Sequence, residues 1–125
     1  MQDNGRPYEL TFEERAGYLY AHIKADKMTA EMSIAYLSEI ADKCAGLGLT
    51  KVIIYREVPF IIDPVSIFHS MQEEVQLLKG LKLALVTPFP ATEEDLNFAI
   101  LVSNNRGADL KLHQTIEAAE EWLLR

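Results

Sequence analysis

Two short segments near the start of the chain alternate between apolar and polar residues, which is the pattern of β-strands. In the first, YELTFEER, Tyr8, Leu10 and Phe12 fall on one side and polar residues on the other, as a half-buried edge strand requires. An Ala-Gly turn follows, and the second segment, GYLYAHIK, carries bulky side chains on both faces. The pattern predicts an antiparallel pair of strands whose second member lies inside the sheet.

From Thr29 onward, segments with helical periodicity alternate with apolar segments of strand length. Apolar residues at spacings of three and four indicate the first helix, which runs to about Leu47: Ile34, Leu37, Ala41 and Cys44. Further strands are predicted at 51–57, 81–87 and 108–113, and further helices at 64–79, at 92–104 and from 115 onward. The order is β-β-α-β-α-β-α-β-α, and strands joined by a single crossover helix are parallel. We therefore predict one α/β domain over residues 1–125, with a mostly parallel five-stranded sheet, an antiparallel N-terminal strand and a disordered tail at residues 1–7.

Residues typical of helix ends support these boundaries. Thr29 and Thr115 are N-cap candidates, and Thr92 opens a Thr-Glu-Glu-Asp run that has the signature of a capping box. Asp63-Pro64 fits a helix start, because aspartate accepts amide hydrogen bonds at the N-cap and proline has no amide to leave unpaired. The alternative is that Asp63 serves a binding site, since loops at the carboxyl ends of parallel strands form the ligand crevice of open α/β sheets.

Composition and charge narrow the classes of function. A net charge of −7, with scattered basic residues, argues against binding to nucleic acid or to anionic lipid surfaces. The longest apolar run, Phe98 to Val102, is far too short to span a bilayer, and the N-terminus shows no apolar signal segment. We expect a cytoplasmic protein without membrane insertion. Cys44 is the only cysteine, which excludes an internal disulfide, and its place on an apolar helix face indicates core packing.

The order of elements resembles the STAS family, named for sulfate transporters and anti-sigma factor antagonists. Members of that family end their third strand with an apolar loop and an Asp-Ser-Ser-Gly run that begins the second helix, and here the run from Phe60 to Val65 occupies that place. The ending of the chain, from Asn104 to Gly107 and from Thr115 to Leu123, resembles divergent STAS-like bacterial proteins. The resemblance implies the SpoIIAA-like (STAS) fold and a non-enzymatic regulatory or protein-interaction role.

One residue departs from the pattern of that family. In antagonist-type members, the serine directly after the aspartate is phosphorylated by a partner kinase, and here that position is Pro64. Proline has no hydroxyl group, so the resemblance implies a module without that switch. Ser66, two residues further on, is the alternative acceptor.

The polar residues form no recognisable catalytic or metal-binding motif. His22, His69 and His113 each lack a second histidine or a cysteine at helical spacing. Ser66 and His69 lie three residues apart on one predicted helix, but no nucleophile elbow or glycine turn for an oxyanion hole accompanies them. We expect no catalytic residue, no metal and no cofactor, and a small hydrolase is the weakest of the functions considered.

A candidate binding rim follows instead from the carboxyl ends of the predicted strands. Its residues are Arg56, Pro59, Phe60, Asp63, Ser66, His69 and Thr87. For Arg56 the competing interpretation is an ion pair with Glu57 or Asp63. The apolar loop from Val58 to Ile62 favours a protein partner or an apolar ligand, unless the loop folds back over the core.

Two functions therefore compete. The first is binding of a protein partner, and the second is carriage of a small apolar ligand or lipid in a pocket. A cavity between the loop 59–63 and the second helix would favour the second.

The predicted third helix is a candidate surface for self-association. It is apolar almost all round, so one sheet face cannot cover it, and a second copy is the simplest cover. We expect a homodimer with Phe98 and Leu101 in its interface. The alternative is that these two side chains turn toward neighbouring helices of the same chain.

Overall fold

A computed structural model describes residues 7–61 and 64–125 of the chain. Its strands are β1 (Glu9–Arg15), β2 (Tyr18–Lys24), β3 (Lys51–Glu57), β4 (Lys82–Val86) and β5 (Asp109–His113). They form one sheet in the order β1-β2-β3-β4-β5, in which β1 is antiparallel to β2 and the other neighbours are parallel. The predicted fold class and mixed sheet are confirmed.

Four helices connect and cover the strands. They are α1 (Ala30–Leu47), α2 (Pro64–Leu77), α3 (Glu93–Asn105) and α4 (Ile116–Leu124), and a 3-10 turn (Pro90–Thr92) precedes α3. The predicted elements are all present, and their ends differ from the predicted ones by at most two residues.

The helices are divided unequally between the two faces of the sheet. On one face, α1 and the end of α2 pack over buried residues such as Ile23, Ile54 and Leu85, and α3 contacts α2 and β5. On the other face, α4 is the packed helix, with Ala119 and Leu123 against Ile53. The strands β3 and β4 are therefore covered on both sides, as their continuous apolar runs require.

The two N-terminal strands behave as their sequences predict. The outward residues of β1 are exposed while Leu10 and Phe12 are half-buried, and β1 forms an edge of the sheet. In β2, Leu19, Ala21 and Ile23 are buried, which confirms an interior strand. Tyr8, just before β1, is buried against Tyr36 of α1, with ring centroids 6.4 Å apart. The predicted tail at 1–7 lies outside the described residues except for Pro7.

Two of the predicted N-caps are confirmed. The Thr29 hydroxyl oxygen accepts from the Met32 amide at 3.2 Å, and the Thr115 hydroxyl oxygen accepts from the Ala118 amide at 3.0 Å. The predicted cap residue of α2, Asp63, lies outside the described residues, and α2 begins at Pro64. Cys44 is buried among the apolar residues of α1 and the sheet, which confirms its structural interpretation.

The capping box predicted at Thr92 is wrong. Thr92 has helical dihedral angles, φ −95° and ψ −5°, and its hydroxyl makes no cap bond to the helix. Instead the hydroxyl donates to the Phe89 carbonyl at 2.9 Å. The reason is that Pro90 begins a 3-10 turn directly before α3, so Thr92 is already helical, whereas a capping side chain needs an extended backbone.

Candidate functional site

The main concave site is a cavity of about 390 Å³ between α1, α2, α3 and the sheet. We call it the α2–α3 cavity. Ile54, Leu85 and Leu110 of three successive strands form its floor, and its walls are mostly apolar, including Leu37, Met71, Leu78, Leu96 and Ile100. This volume lies at the lower end of the range typical of small-molecule sites.

The cavity exists because of where α3 lies. The helix contacts β5 at the edge of the sheet and contacts α2 on its other side, whereas α2 packs mainly against α1. A gap is left above β3 and β4 that no helix fills. The gap reaches the surface beside Val65 and Phe98, which are 63% and 56% exposed and still line it. The mouth therefore lies between the start of α2 and the middle of α3.

One polar group in this apolar cavity is charged and deeply buried. Arg56, at the end of β3, is 4% exposed and lines the cavity on the same face as Ile54. Its Nη1 atom is buried and, among the described residues, has no hydrogen-bond acceptor. Buried guanidinium groups are almost always paired, so this N–H is open to an acceptor from a bound molecule or from a residue outside the described ranges.

Polar side chains from two helices surround this arginine. Tyr36 and Ser33 of α1 and Glu74 of α2 line the cavity, and the Ser70 hydroxyl donates to the Glu74 carboxylate at 2.7 Å. Burial raises the pKa of the Tyr36 phenol, and the Arg56 charge opposes that rise. Burial also raises the pKa of the Glu74 carboxyl, against the hydrogen bond from Ser70 and the charge of Arg56. Desolvation thus outweighs the attraction between Arg56 and Glu74, and the site favours a protonated Glu74 more than water does.

The ion pair expected between Arg56 and Glu57 is wrong. Glu57 instead lies 2.8 Å from the Nε2 atom of His22, and His22 packs edge-on against Tyr55. The reason is the alternation of a strand, which sends neighbouring side chains to opposite faces of the sheet. Arg56 faces α1 and α2, while Glu57 faces away from them. The other suggested partner, Asp63, lies outside the described residues.

The predicted rim residues Thr87, Pro59 and Phe60 lie outside the α2–α3 cavity. Thr87 is buried, and its hydroxyl oxygen accepts from the Phe89 amide at 3.2 Å, which makes it part of the turn after β4. Pro59 lines a second depression with Phe89, of about 340 Å³ and more polar in its lining. Phe60 is 67% exposed, with its carbonyl accepting from the Met28 amide at 3.0 Å.

The apolar loop after β3 combines both expected behaviours. Val58 is fully buried in the core, whereas Phe60 projects into solvent. Ile61 is half-buried, forms a bridge to Met28 and lines the α2–α3 cavity. The loop therefore folds back over the core at Val58 and forms part of the cavity wall at Ile61.

Ser66 and His69 lie on the exposed side of α2 and do not line the cavity. The other histidines lie elsewhere: His22 is beside Glu57, and His113 packs on Trp122 with ring centroids 5.3 Å apart. Within the described residues, no group of three or more His, Cys, Asp or Glu side chains could hold a metal ion. The geometry of these residues gives no catalytic arrangement.

Phe98 and Leu101 remain at the surface of the single chain. Leu101 is 59% exposed, and the buried residues of α3 are Leu96 and Ser103. Packing within the chain therefore does not bury either predicted interface residue, although Phe98 lies at the cavity mouth. Their place in a dimer stays a prediction.

Sequence reasoning missed three residues of the site: Ser33, Tyr36 and Glu74. A signal for them was present, because Ser33 and Tyr36 lie three residues apart on one face of α1 and Ser70 and Glu74 lie four apart on α2. These spacings place each pair on one helix face, but they do not show that the two faces meet at Arg56.

Comparison with known proteins identifies the fold. No protein-family profile matches the chain, and no curated protein matches it. A crystal structure of an anti-sigma factor antagonist from Mycobacterium paratuberculosis matches with a TM-score of 0.66 at 13% identity, covering 94% of this chain and 95% of that one. The unphosphorylated anti-sigma factor antagonist SpoIIAA matches with a TM-score of 0.51 at 14% identity, covering 94% and 97%.

A third solved structure is an uncharacterized protein of the DUF3478 family with a SpoIIAA-like fold, from Shewanella loihica PV-4. It matches with a TM-score of 0.54 at 20% identity and covers 98% of each chain. These likenesses show that the present chain has the SpoIIAA-like, or STAS-like, fold. Among the described residues, no helix has the length and apolar character needed to cross a membrane.

Proposed function

We propose that this chain is a non-enzymatic regulatory module of STAS-like type that binds a small, largely apolar molecule in the α2–α3 cavity. The observation that carries the proposal is the cavity itself, which is mostly apolar, contains a few convergent polar groups and lies beside the loop after β3. Ligand sites in proteins have this composition. At about 30 Å³ for each small group, the volume suits a ligand of roughly a dozen heavy atoms.

The experiment is native mass spectrometry of the protein purified from its own host, because it reports a retained ligand and the oligomeric state together. We expect a bound mass on the order of 200 Da, as a dozen heavy atoms imply. Ala99→Phe, which places a ring in the cavity, should lose that mass. Ala35→Phe, on the exposed side of α1, is the matched control and should keep it. A wild-type chain without bound mass, and unaffected by a panel of small apolar compounds in thermal unfolding, would contradict the proposal.

A second candidate, binding of a protein partner, has its own support. Two of the similar structures are named anti-sigma factor antagonists, which act on another protein. Phe60, in the loop before α2, and Val65, in its first turn, are exposed apolar side chains that a partner could cover. Ser66 and His69 lie on the exposed side of the same helix. The two candidates are compatible, since a ligand at the cavity mouth would alter the surface that the partner contacts.

This second candidate differs from a phosphorylation-controlled antagonist at one residue. Pro64 occupies the place of the acceptor serine, so we expect incubation with an anti-sigma-type kinase to leave the intact mass unchanged. A phosphate mapped to Ser66 would show that the switch has moved by two residues.

A further inference from the structure

The buried guanidinium of Arg56 limits the chemistry of any molecule in the α2–α3 cavity. Arg56 is 4% exposed and lines the cavity, yet its Nη1 atom has no hydrogen-bond acceptor among the described residues. An unmet hydrogen bond from a charged donor destabilises the empty protein, and a ligand that supplies an acceptor would remove that cost. An anionic oxygen is the best acceptor, because hydrogen bonds between charged groups are the strong ones.

Most of the polar lining of the cavity lies near Arg56. Arg56 is at the carboxyl end of β3, on the same side as Ile61 and the start of α2. Leu110, at the start of β5, and Leu78, just past the end of α2, line the other end, where buried Ser103 is the polar residue. A ligand that fits both ends has a polar head and a mainly apolar tail.

The strand register sets the length of that tail. Leu110 pairs with Leu83, which pairs with Val52, and Arg56 lies four residues further along β3. At about 3.3 Å for each strand residue, the two ends are roughly 13 Å apart along the strand direction, and Leu110 lies two strands to the side of β3. An extended alkyl chain zigzags and advances less than its bond length of about 1.5 Å at each bond, so a chain of about ten carbons spans most of that length. The cavity volume independently indicates about a dozen heavy atoms.

Resting on the proposed function, we infer that the cavity binds a medium-chain monocarboxylate, with its carboxylate on Arg56 and its alkyl chain running between α2 and α3 toward Leu110. One carboxylate matches one unpaired arginine N–H more closely than a doubly charged phosphate would, since Glu74 and Asp95 also line the cavity. The raised pKa of Glu74 is consistent with this arrangement, because burial disfavours the charged carboxylate that would repel the head group.

The test uses sodium decanoate below its micelle concentration and 1-decanol as the neutral probe of equal chain length. Isothermal titration near neutral pH should show tighter binding of decanoate than of decanol by the wild-type chain. Arg56→Met should weaken decanoate binding by about 10- to 100-fold, as expected for one charge-assisted hydrogen bond, and weaken decanol binding much less, because a neutral hydroxyl group makes a weaker hydrogen bond. Arg15→Met, which removes an arginine of β1 instead, is the control and should bind decanoate like wild type.

A second measurement follows the head group directly. Decanoate labelled with carbon-13 at its carboxyl group should show a lower carboxyl pKa when bound to wild type than when bound to Arg56→Met, because burial acts in both proteins and only wild type has the guanidinium that favours the ionised form. An equal carboxyl pKa in the two complexes would place the head away from Arg56 and overturn the inference.

The outcomes separate this inference from the proposed function. Equal binding of decanoate and decanol, unaffected by Arg56→Met but abolished by Ala99→Phe, would keep the cavity as the site and overturn the carboxylate anchor. Tighter binding of decyl phosphate than of decanoate would overturn it in favour of a phosphate head. Binding of neither probe would overturn the monocarboxylate, and the native mass of the purified protein would still decide the proposed function.

Discussion

Replacing Arg56 with methionine should make the empty protein more stable. Methionine has a similar length and no polar atom, so it fills the same place without a buried charge. The unpaired Nη1 group costs about 1–3 kcal/mol in the wild-type fold, which the substitution recovers. The variant loses a hydrogen bond between Arg56 and Tyr36 and the attraction between Arg56 and Glu74, the second of which is limited because burial already disfavours the charged form of Glu74. We expect a net gain of about 1 kcal/mol, which lies within the range for replacing buried charges by apolar residues.

Urea denaturation of four proteins tests this reasoning: wild type, Arg56→Met, Glu74→Gln and the double variant. Each free energy of unfolding is taken from the midpoint, with the slope checked for constancy. The cycle gives the coupling between the two residues, which should be about 1 kcal/mol or less. A loss of about 3–5 kcal/mol in Arg56→Met that is largely recovered in the double variant would refute the reasoning. Arg56 and Glu74 would then be a structural ion pair, with no unmet bond left for a ligand.

Three further predictions follow from other parts of the fold. Thr115→Ala should lower the free energy of unfolding by about 0.5–2 kcal/mol, since it removes the N-cap of α4, and an unchanged urea midpoint would contradict that cap. Glu74→Gln should become more stable relative to wild type as pH rises from 4.5. The raised pKa of Glu74 means that the folded wild type binds more protons than the unfolded chain just above pH 4.5, so wild type loses stability as pH rises there. A stability difference that does not depend on pH would refute the raised pKa. The double variant Phe98→Glu, Leu101→Glu should stay folded and sediment as a monomer whereas wild type sediments as a dimer, and wild type at monomer mass throughout would reject the interface.

The secondary structure followed closely from sequence patterns because those patterns are local. Alternation in β1 correctly reported the buried side of that strand. In α1 the three-to-four spacing located the helix, but only Leu37 and Cys44 of the four expected residues are buried, and Ile34 and Ala41 are half-buried beside them. Thr29 and Thr115 were identified as caps because the cap bond spans only three residues. Thr92 was misread because Pro90, two residues earlier, had already begun a helical turn.

The candidate site was predicted less well because its residues come from different elements. Arg56 was correctly placed at the carboxyl end of β3, but its expected partner Glu57 faces the other side of the sheet. Thr87 was selected for the same strand-end position and proves to belong to a turn. Position along a strand is visible in a sequence, whereas the identity of facing neighbours depends on how helices pack.

Taken alone, the sequence determined the order of strands and helices, the parallel crossovers and the net charge of −7, because each depends on local periodicity or on simple counts. The tertiary structure decided where α3 lies, and that decided the cavity. Since α3 contacts β5 at the sheet edge while α2 packs against α1, a space remains over Ile54 and Leu85 that no helix fills. A cavity is lined by residues from several elements, so no local sequence pattern predicts it. The packing of the helices on the sheet decides that Arg56 lines this one.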